Sequence, residues 1–145
     1  MIEGVKPAEC LRRATVLVVD DEPSMTRAAS RLLHAMGLEA LVATMAEHAI
    51  EFCRVRGKEI DLVLLDLFLQ GSNSLETLRQ MRSLHPGIKV ILMSGYDKQE
   101  SADIIGGMRL DGFLLKPFGY AEFENVIRSA LALPPKTSRQ PATDT

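Results

Sequence analysis

Five short apolar runs alternate with five stretches of helical period along this chain, and that alternation constrains the fold more than any other feature. The runs fall at residues 15–19, 38–43, 62–65, 88–93 and 112–115. Several are apolar at every position and not at every second one, as in Val16-Leu17-Val18-Val19 and Leu62-Val63-Leu64-Leu65. A strand with that pattern is buried on both faces, as happens in a parallel sheet covered by helices on each side. Strand followed by helix, repeated, predicts a doubly wound α/β domain.

The intervening segments carry their own start and stop signals. Helix one is expected over 24–36, with Gly37 as a left-handed stop. Thr44-Met45-Ala46-Glu47 has the form of a capping box opening helix two, and Gly57 closes that helix. Asn73 or Ser74 caps helix three, which His85-Pro86-Gly87 ends. Helix four is expected over 98–105 and to stop early, since Gly106 and Gly107 would each cost about 1 kcal/mol inside a helix. Helix five spans 120–132, with Tyr120, Phe123, Val126, Ile127, Ala130 and Leu131 on one face and Pro134-Pro135 as its terminator.

Length and composition fix the class. At 145 residues the chain holds one domain with a substantial core. That domain is expected over 15–133, after a lead-in at 1–14 and before a polar tail at 134–145 too short to fold and therefore disordered. The formal net charge is −2, and Lys and Arg are scattered, so direct nucleic-acid binding is not expected. Cys10 and Cys53 lack metal-ligand spacing and suggest a reducing compartment. No apolar run reaches membrane-spanning length, and Glu3 and Lys6 ahead of Pro7 do not make a secretory signal. A cytoplasmic protein without membrane contact is expected.

Chemistry concentrates directly after the strands. Asp20 and Asp21 follow the first, Asp66 the third, Ser94 the fourth and Lys116 the fifth. In open α/β sheets the functional crevice lies beyond the carboxyl ends of the strands. Singly, each residue has an ordinary reading. An acidic pair favours the start of a helix, a strand-end aspartate can cap, a surface lysine is solvated, and a strand-end serine is routine. Together, three carboxylates and a lysine on one rim form an acidic pocket suited to a hard cation such as Mg2+, which would offset their mutual repulsion.

By residue type, spacing and order, Val16-Leu-Val-Val-Asp20-Asp21-Glu22, Asp66 after its apolar run, and Phe113-Leu-Leu-Lys116-Pro117-Phe118 resemble the receiver domain of two-component response regulators. The resemblance covers about 15–133. It implies a flavodoxin-like (βα)5 fold with strand order 2-1-3-4-5. It further implies that Asp66 is the phosphoacceptor, taking a phosphoryl group from phosphohistidine as an acyl phosphate. Asp21 and Asp66 would bind Mg2+ directly with the backbone carbonyl of Phe68, and Asp20 would act mainly through water. Lys116, often joined to its proline by a cis peptide in this family, would contact the phosphoryl group. Ser94 would bond a phosphoryl oxygen after modification, and Phe113 would be the switch aromatic that carries the change to helix four and strand five. The implied partner is a sensor histidine kinase or a histidine phosphotransfer domain, with a homodimer as a further possibility. Such a domain catalyses only its own phosphorylation and dephosphorylation, and is not an enzyme in the usual sense.

There are departures from the family pattern. Leu69-Gln70-Gly71 and Ser74 stand where Met-Pro-Gly and a later glycine are common. Phe68 and Tyr96, two residues after Asp66 and Ser94, are bulkier than the polar residues often found there and would flank the phosphoryl site. Ser94-Gly95-Tyr96 together with the 112–118 segment resembles receivers attached to hybrid sensor histidine kinases, so a single-domain regulator, a phosphorelay intermediate and an excised piece of a hybrid kinase are all open. Two rivals remain. A pseudo-receiver would serve only as an interaction module. A phosphatase of the haloacid dehalogenase type needs Asp-x-Asp, and Phe68 occupies the second position. A dinucleotide-binding domain is disfavoured, because no Gly-x-Gly-x-x-Gly follows the first strand.

Overall fold

The computed structural model describes residues 13–134. The expectations for Cys10, for most of the lead-in and for the tail from 135 onward lie outside the described residues. The element order is β1 (Thr15–Val19), α1 (Pro23–Ala35), β2 (Glu39–Ala43), α2 (Ala46–Arg56), a 3-10 turn (Gly57–Glu59), β3 (Leu62–Asp66), α3 (Ser74–Leu84), β4 (Val90–Ser94), α4 (Lys98–Ile104), β5 (Gly112–Leu115) and α5 (Tyr120–Leu131). The strands form one sheet in the order β2-β1-β3-β4-β5, and every pairing is parallel. This is the flavodoxin-like arrangement.

Alternate residues of each strand feed two cores. Leu17, Val19, Val63, Leu65, Val90 and Leu92 face α2 and α3, packing with Ala49, Cys53, Leu78 and Met81. Val16, Val18, Leu62, Leu64, Ile91, Met93 and Leu114 face α1 and α5, packing with Ala29, Leu33, Phe123 and Ile127. Both faces of the central strands are thus dry, which is why their sequences run apolar without alternation. Burial raises the Cys53 thiol to about 11, so this cysteine is a small hydrophobe in the core and not a reactive group.

Several boundaries move for identifiable reasons. Helix α1 begins at Pro23, one residue before expected, because proline suits the first turn, where no N–H is needed. The Thr44–Glu47 capping box does not form: Met45 is the extended N-cap of α2 and makes no side-chain cap bond. The chain stays extended past Ala43, whose carbonyl accepts the Asp20 N–H at 3.1 Å, and α2 then starts where Ala46 and Ala49 bury. Gly57 follows α2 in a right-handed conformation (φ −53°) and continues into the 3-10 turn. Ile88 is buried but precedes β4, since its N–H bonds the His85 carbonyl in the turn. Asn73 does cap α3, accepting the Glu76 N–H at 3.1 Å. Helix α4 stops at Ile104, and Gly106 and Gly107 both adopt positive φ, at 66° and 72°. On α5, Phe123, Ile127 and Ala130 are buried as expected, whereas Tyr120, in the first turn, is exposed.

Candidate functional site

The alternation that builds the two cores also aims the strand-end residues. Continued one step past β1 and β5 and to the end of β3, it puts Asp20, Lys116 and Asp66 in phase with Val18, Leu114 and Leu64, on the α1/α5 side. Ser94, in phase with Leu92, falls on the opposite side, toward α4. Because β1 and β3 are adjacent and in parallel register, Asp20 and Asp66 leave the sheet together. The site therefore sits at the point where strand order reverses.

One carboxylate oxygen from each of Asp20, Asp21 and Asp66 lies within 4.8 Å of the others. Lys116 Nζ donates to Asp20 Oδ2 at 2.9 Å and to Asp66 Oδ1 at 3.3 Å. The lysine is delivered by β5, whose end is tied to β4 through the Lys116 N–H on the Ser94 carbonyl at 2.7 Å. Its peptide bond to Pro117 is cis. Asp20 Oδ1 also receives the Glu22 N–H at 3.0 Å, so both its oxygens are engaged. Asp21 is half-buried, and its Oδ2 accepts the Gln70 N–H at 3.0 Å, which fastens the loop after β3 to the loop after β1.

The electrostatics follow from burial. Asp66 is 7 % exposed, and removal from water, reinforced by the Asp20 charge, pushes its carboxyl up to about 6 against the opposing pull of Lys116. Burial pulls the Lys116 ammonium down, but its hydrogen bond to Asp20 and the charges of Asp66 and Asp20 outweigh that and leave it raised. The lysine thus stays charged. With the three carboxylates ionised, one lysine leaves an excess of two negative charges, and the donor set consists wholly of hard oxygens. Such a set fits a small divalent cation.

Of the remaining predicted residues, Phe68 and Tyr96 lie in the loops after β3 and β4, Ser94 ends β4 and Phe113 lies within β5. Phe68 and Tyr96 meet edge to face, with centroids 5.1 Å apart and planes at 71°, and both are about half exposed. The Phe68 N–H approaches Asp66 Oδ1 at 3.5 Å, and the Tyr96 N–H donates to Ser94 Oγ at 2.9 Å. Phe113 is half-buried against the α2/α3-side core, paired in register with Leu92, two residues before Ser94. One participant escaped sequence reasoning: Ser101 of α4, which is fully buried with its Oγ 2.9 Å from Ser94 Oγ. A serine within Lys98-Gln99-Glu100-Ser101-Ala102-Asp103 carries no sequence signal that it faces inward.

Residues 16–128 match the response regulator receiver domain. The chain belongs to that family. It is 31 % identical over 118 residues to a sensor kinase CckA of Brucella abortus, covering 81 % of this chain and 12 % of that protein. It is 31 % identical over 131 residues to the transcriptional regulatory protein ZraR of Klebsiella oxytoca, covering 90 % of this chain and 29 % of the relative. The chain therefore spans less than a third of the length of these curated relatives. Its fold is similar to a CheY-like response regulator receiver domain protein from Methanospirillum hungatei, with a TM-score of 0.75 at 23 % identity, covering 83 % of this chain and 95 % of that one. Receiver domains are the phosphoacceptors of two-component systems, taking their phosphoryl group from histidine kinases. No helix among the described residues is long and apolar enough to cross a membrane.

Proposed function

We propose that this receiver accepts its phosphoryl group on Asp66. The observation that carries the assignment is the placement of one nearly buried strand-end carboxylate beside two further carboxylates and the Lys116 ammonium. In the step proposed, an Asp66 carboxylate oxygen attacks the phosphorus of a phosphohistidine and the P–N bond breaks. The electron pair stays on the imidazole nitrogen, which takes up a proton, and Asp66 becomes an acyl phosphate. Lys116 balances the charge gathering on the phosphoryl oxygens. Receiver domains bind Mg2+ at an acidic cluster of this kind, and when bound it supplies the positive charge that lets three carboxylates and a phosphoryl group share one rim. Asp21 and Asp66, with the Phe68 carbonyl, are the proposed direct ligands. Asp20 acts through water, a reading supported by the engagement of both its oxygens.

Ser94 and Phe113 are the proposed switch pair, because Ser94 ends β4 beside the cluster and Phe113 lies on the same face of the neighbouring strand. The proposed donor is a histidine kinase or a histidine phosphotransfer domain. The test is intact-mass measurement after treatment with acetyl phosphate, with and without Mg2+. Wild type should gain one phosphoryl mass only when Mg2+ is present, and Asp66→Asn should gain none. A phosphate adduct that persists in the mutant would exclude Asp66.

A further inference from the structure

We infer that Ser101 is a positioning residue that restrains the Ser94 hydroxyl in the unmodified protein and links α4 to the acceptor site. The inference rests on the proposal that Ser94 engages the phosphoryl group. Ser94 is 1 % exposed and Ser101 0 %, so neither hydroxyl can turn to bulk water for a partner. Three contacts join the two hydroxyls to each other and to the Tyr96 backbone: the oxygens lie 2.9 Å apart, the Tyr96 N–H donates to Ser94 Oγ at 2.9 Å, and Ser101 Oγ lies 3.2 Å from the Tyr96 carbonyl. Ser101 is the one buried residue within α4, and with the buried C-cap Ile105 it anchors the helix to the sheet.

A hydroxyl has one hydrogen to give and two lone pairs to fill. In one arrangement Ser94 donates to Ser101, Ser101 donates to the Tyr96 carbonyl, and the Tyr96 N–H donates to Ser94. Every hydrogen is then used within the circuit. In the other, Ser94 gives its hydrogen to a phosphoryl oxygen, and Ser101 turns its own hydrogen from the Tyr96 carbonyl to Ser94. Ser101 can occupy both positions because its oxygen is within reach of both acceptors.

Removing Ser101 affects the two arrangements unequally. Without it, the unmodified site leaves a buried Ser94 hydrogen with no acceptor in the circuit. The modified site loses only a second donor to an oxygen that the Tyr96 N–H already serves. An unsatisfied buried donor is the costlier defect. Ser101→Ala should therefore favour the modified arrangement and bind a phosphoryl mimic more tightly, not less.

The test titrates beryllofluoride with Mg2+ into the full chain, followed by 19F NMR, for wild type, Ser101→Ala, Ser94→Ala and the double variant. Ser101→Ala should bind about five- to tenfold tighter than wild type, and Ser94→Ala should bind more weakly. The double variant should match Ser94→Ala, since Ser101 acts only through Ser94. Unchanged or weaker binding by Ser101→Ala would overturn the inference, as would an equal gain in the Ser94→Ala background, which would mean that Ser101 acts through packing of α4. If the alanine variant fails to fold, Ser101→Cys, similar in shape and a weaker donor and acceptor, should show a smaller gain of the same sign. No gain there overturns the inference equally. Wild-type binding lost in Asp66→Asn shows that the acceptor reading stands whatever Ser101 does, whereas no Asp66-dependent binding by wild type overturns both.

Discussion

Asp66 is costly to hold as an anion in the metal-free protein. Its carboxyl is raised to about 6, so the folded state binds its proton more tightly than the unfolded chain does. The stability that this group contributes is fully present below its unfolded pKa near 4 and is lost as pH rises through about 6. The loss is on the order of 3 kcal/mol from a shift of this size. Carbonyl-carbon NMR of labelled aspartate in chelator-treated protein should show Asp66 titrating near 6, and added Mg2+ should drive that midpoint down. Phe68 and Tyr96 pack edge to face, each about half exposed, and the proposal that Asp66 is the acceptor extends to them: the pair would hinder a water in line with the acyl phosphate bond. Phe68→Asn should dephosphorylate several-fold faster, because a small amide can orient that water. The decay of phosphorylated protein in the absence of kinase measures it, and a mutant that decays no faster removes the shielding role.

Among the elements, β5 is the shortest strand of the sheet and the one that delivers Lys116. It approaches β4 and α5 closely enough that a Cβ on Gly112 would stand 3.0 Å from Ile91 Cγ1 and 3.1 Å from Val126 Cγ1. Gly112→Ala should cost about 1–3 kcal/mol, read as a lower denaturant midpoint at unchanged slope, and should weaken phosphorylation by displacing Lys116. Helix α4 is the other critical element. It is short, has one buried side chain, and ends at two glycines in left-handed conformations. That combination gives a segment of low local stability, suited to responding to the site. The α4 expectation was legible because a pair of glycines is a strong local stop. The Thr44–Glu47 box was misleading, because a cap is worth only about 1 kcal/mol and the burial of Ala46 and Ala49 set the start of α2.

At the scale of the whole molecule, the sheet acts as a platform that brings charges of one sign together, and the folded state bears the repulsion. A cation that binds this arrangement and not the unfolded chain stabilises the fold by mass action. Saturating Mg2+ at a hundred times its dissociation constant should add about 2.7 kcal/mol, seen as a rise in Tm. Asp21→Asn should reduce that rise more than Asp20→Asn, since Asp20 has both oxygens committed to Glu22 and Lys116. Equal losses would contradict the proposed coordination.

The sequence by itself determined the strands, the class of fold and the identity of the four charged residues, because unbroken apolar runs and the charges that end them are local patterns. It also placed Asp20, Asp66 and Lys116 at one edge of the sheet, but that they leave it on the same face, in phase with Val18, Leu64 and Leu114, is visible only in the structure, because strands that are apolar at every position carry no alternation to read. Which residues touch was decided only by the tertiary structure. The bond from Lys116 to Asp20 joins residues 96 apart, and the Gln70 N–H on Asp21 spans 49, distances over which no sequence pattern reports. Ser101 is the clearest case. Its helix is mostly polar, with Ala102 and Ile104 as its apolar residues, and only the packing of α4 over the end of β4 turns that one hydroxyl inward, where burial compels it to find Ser94.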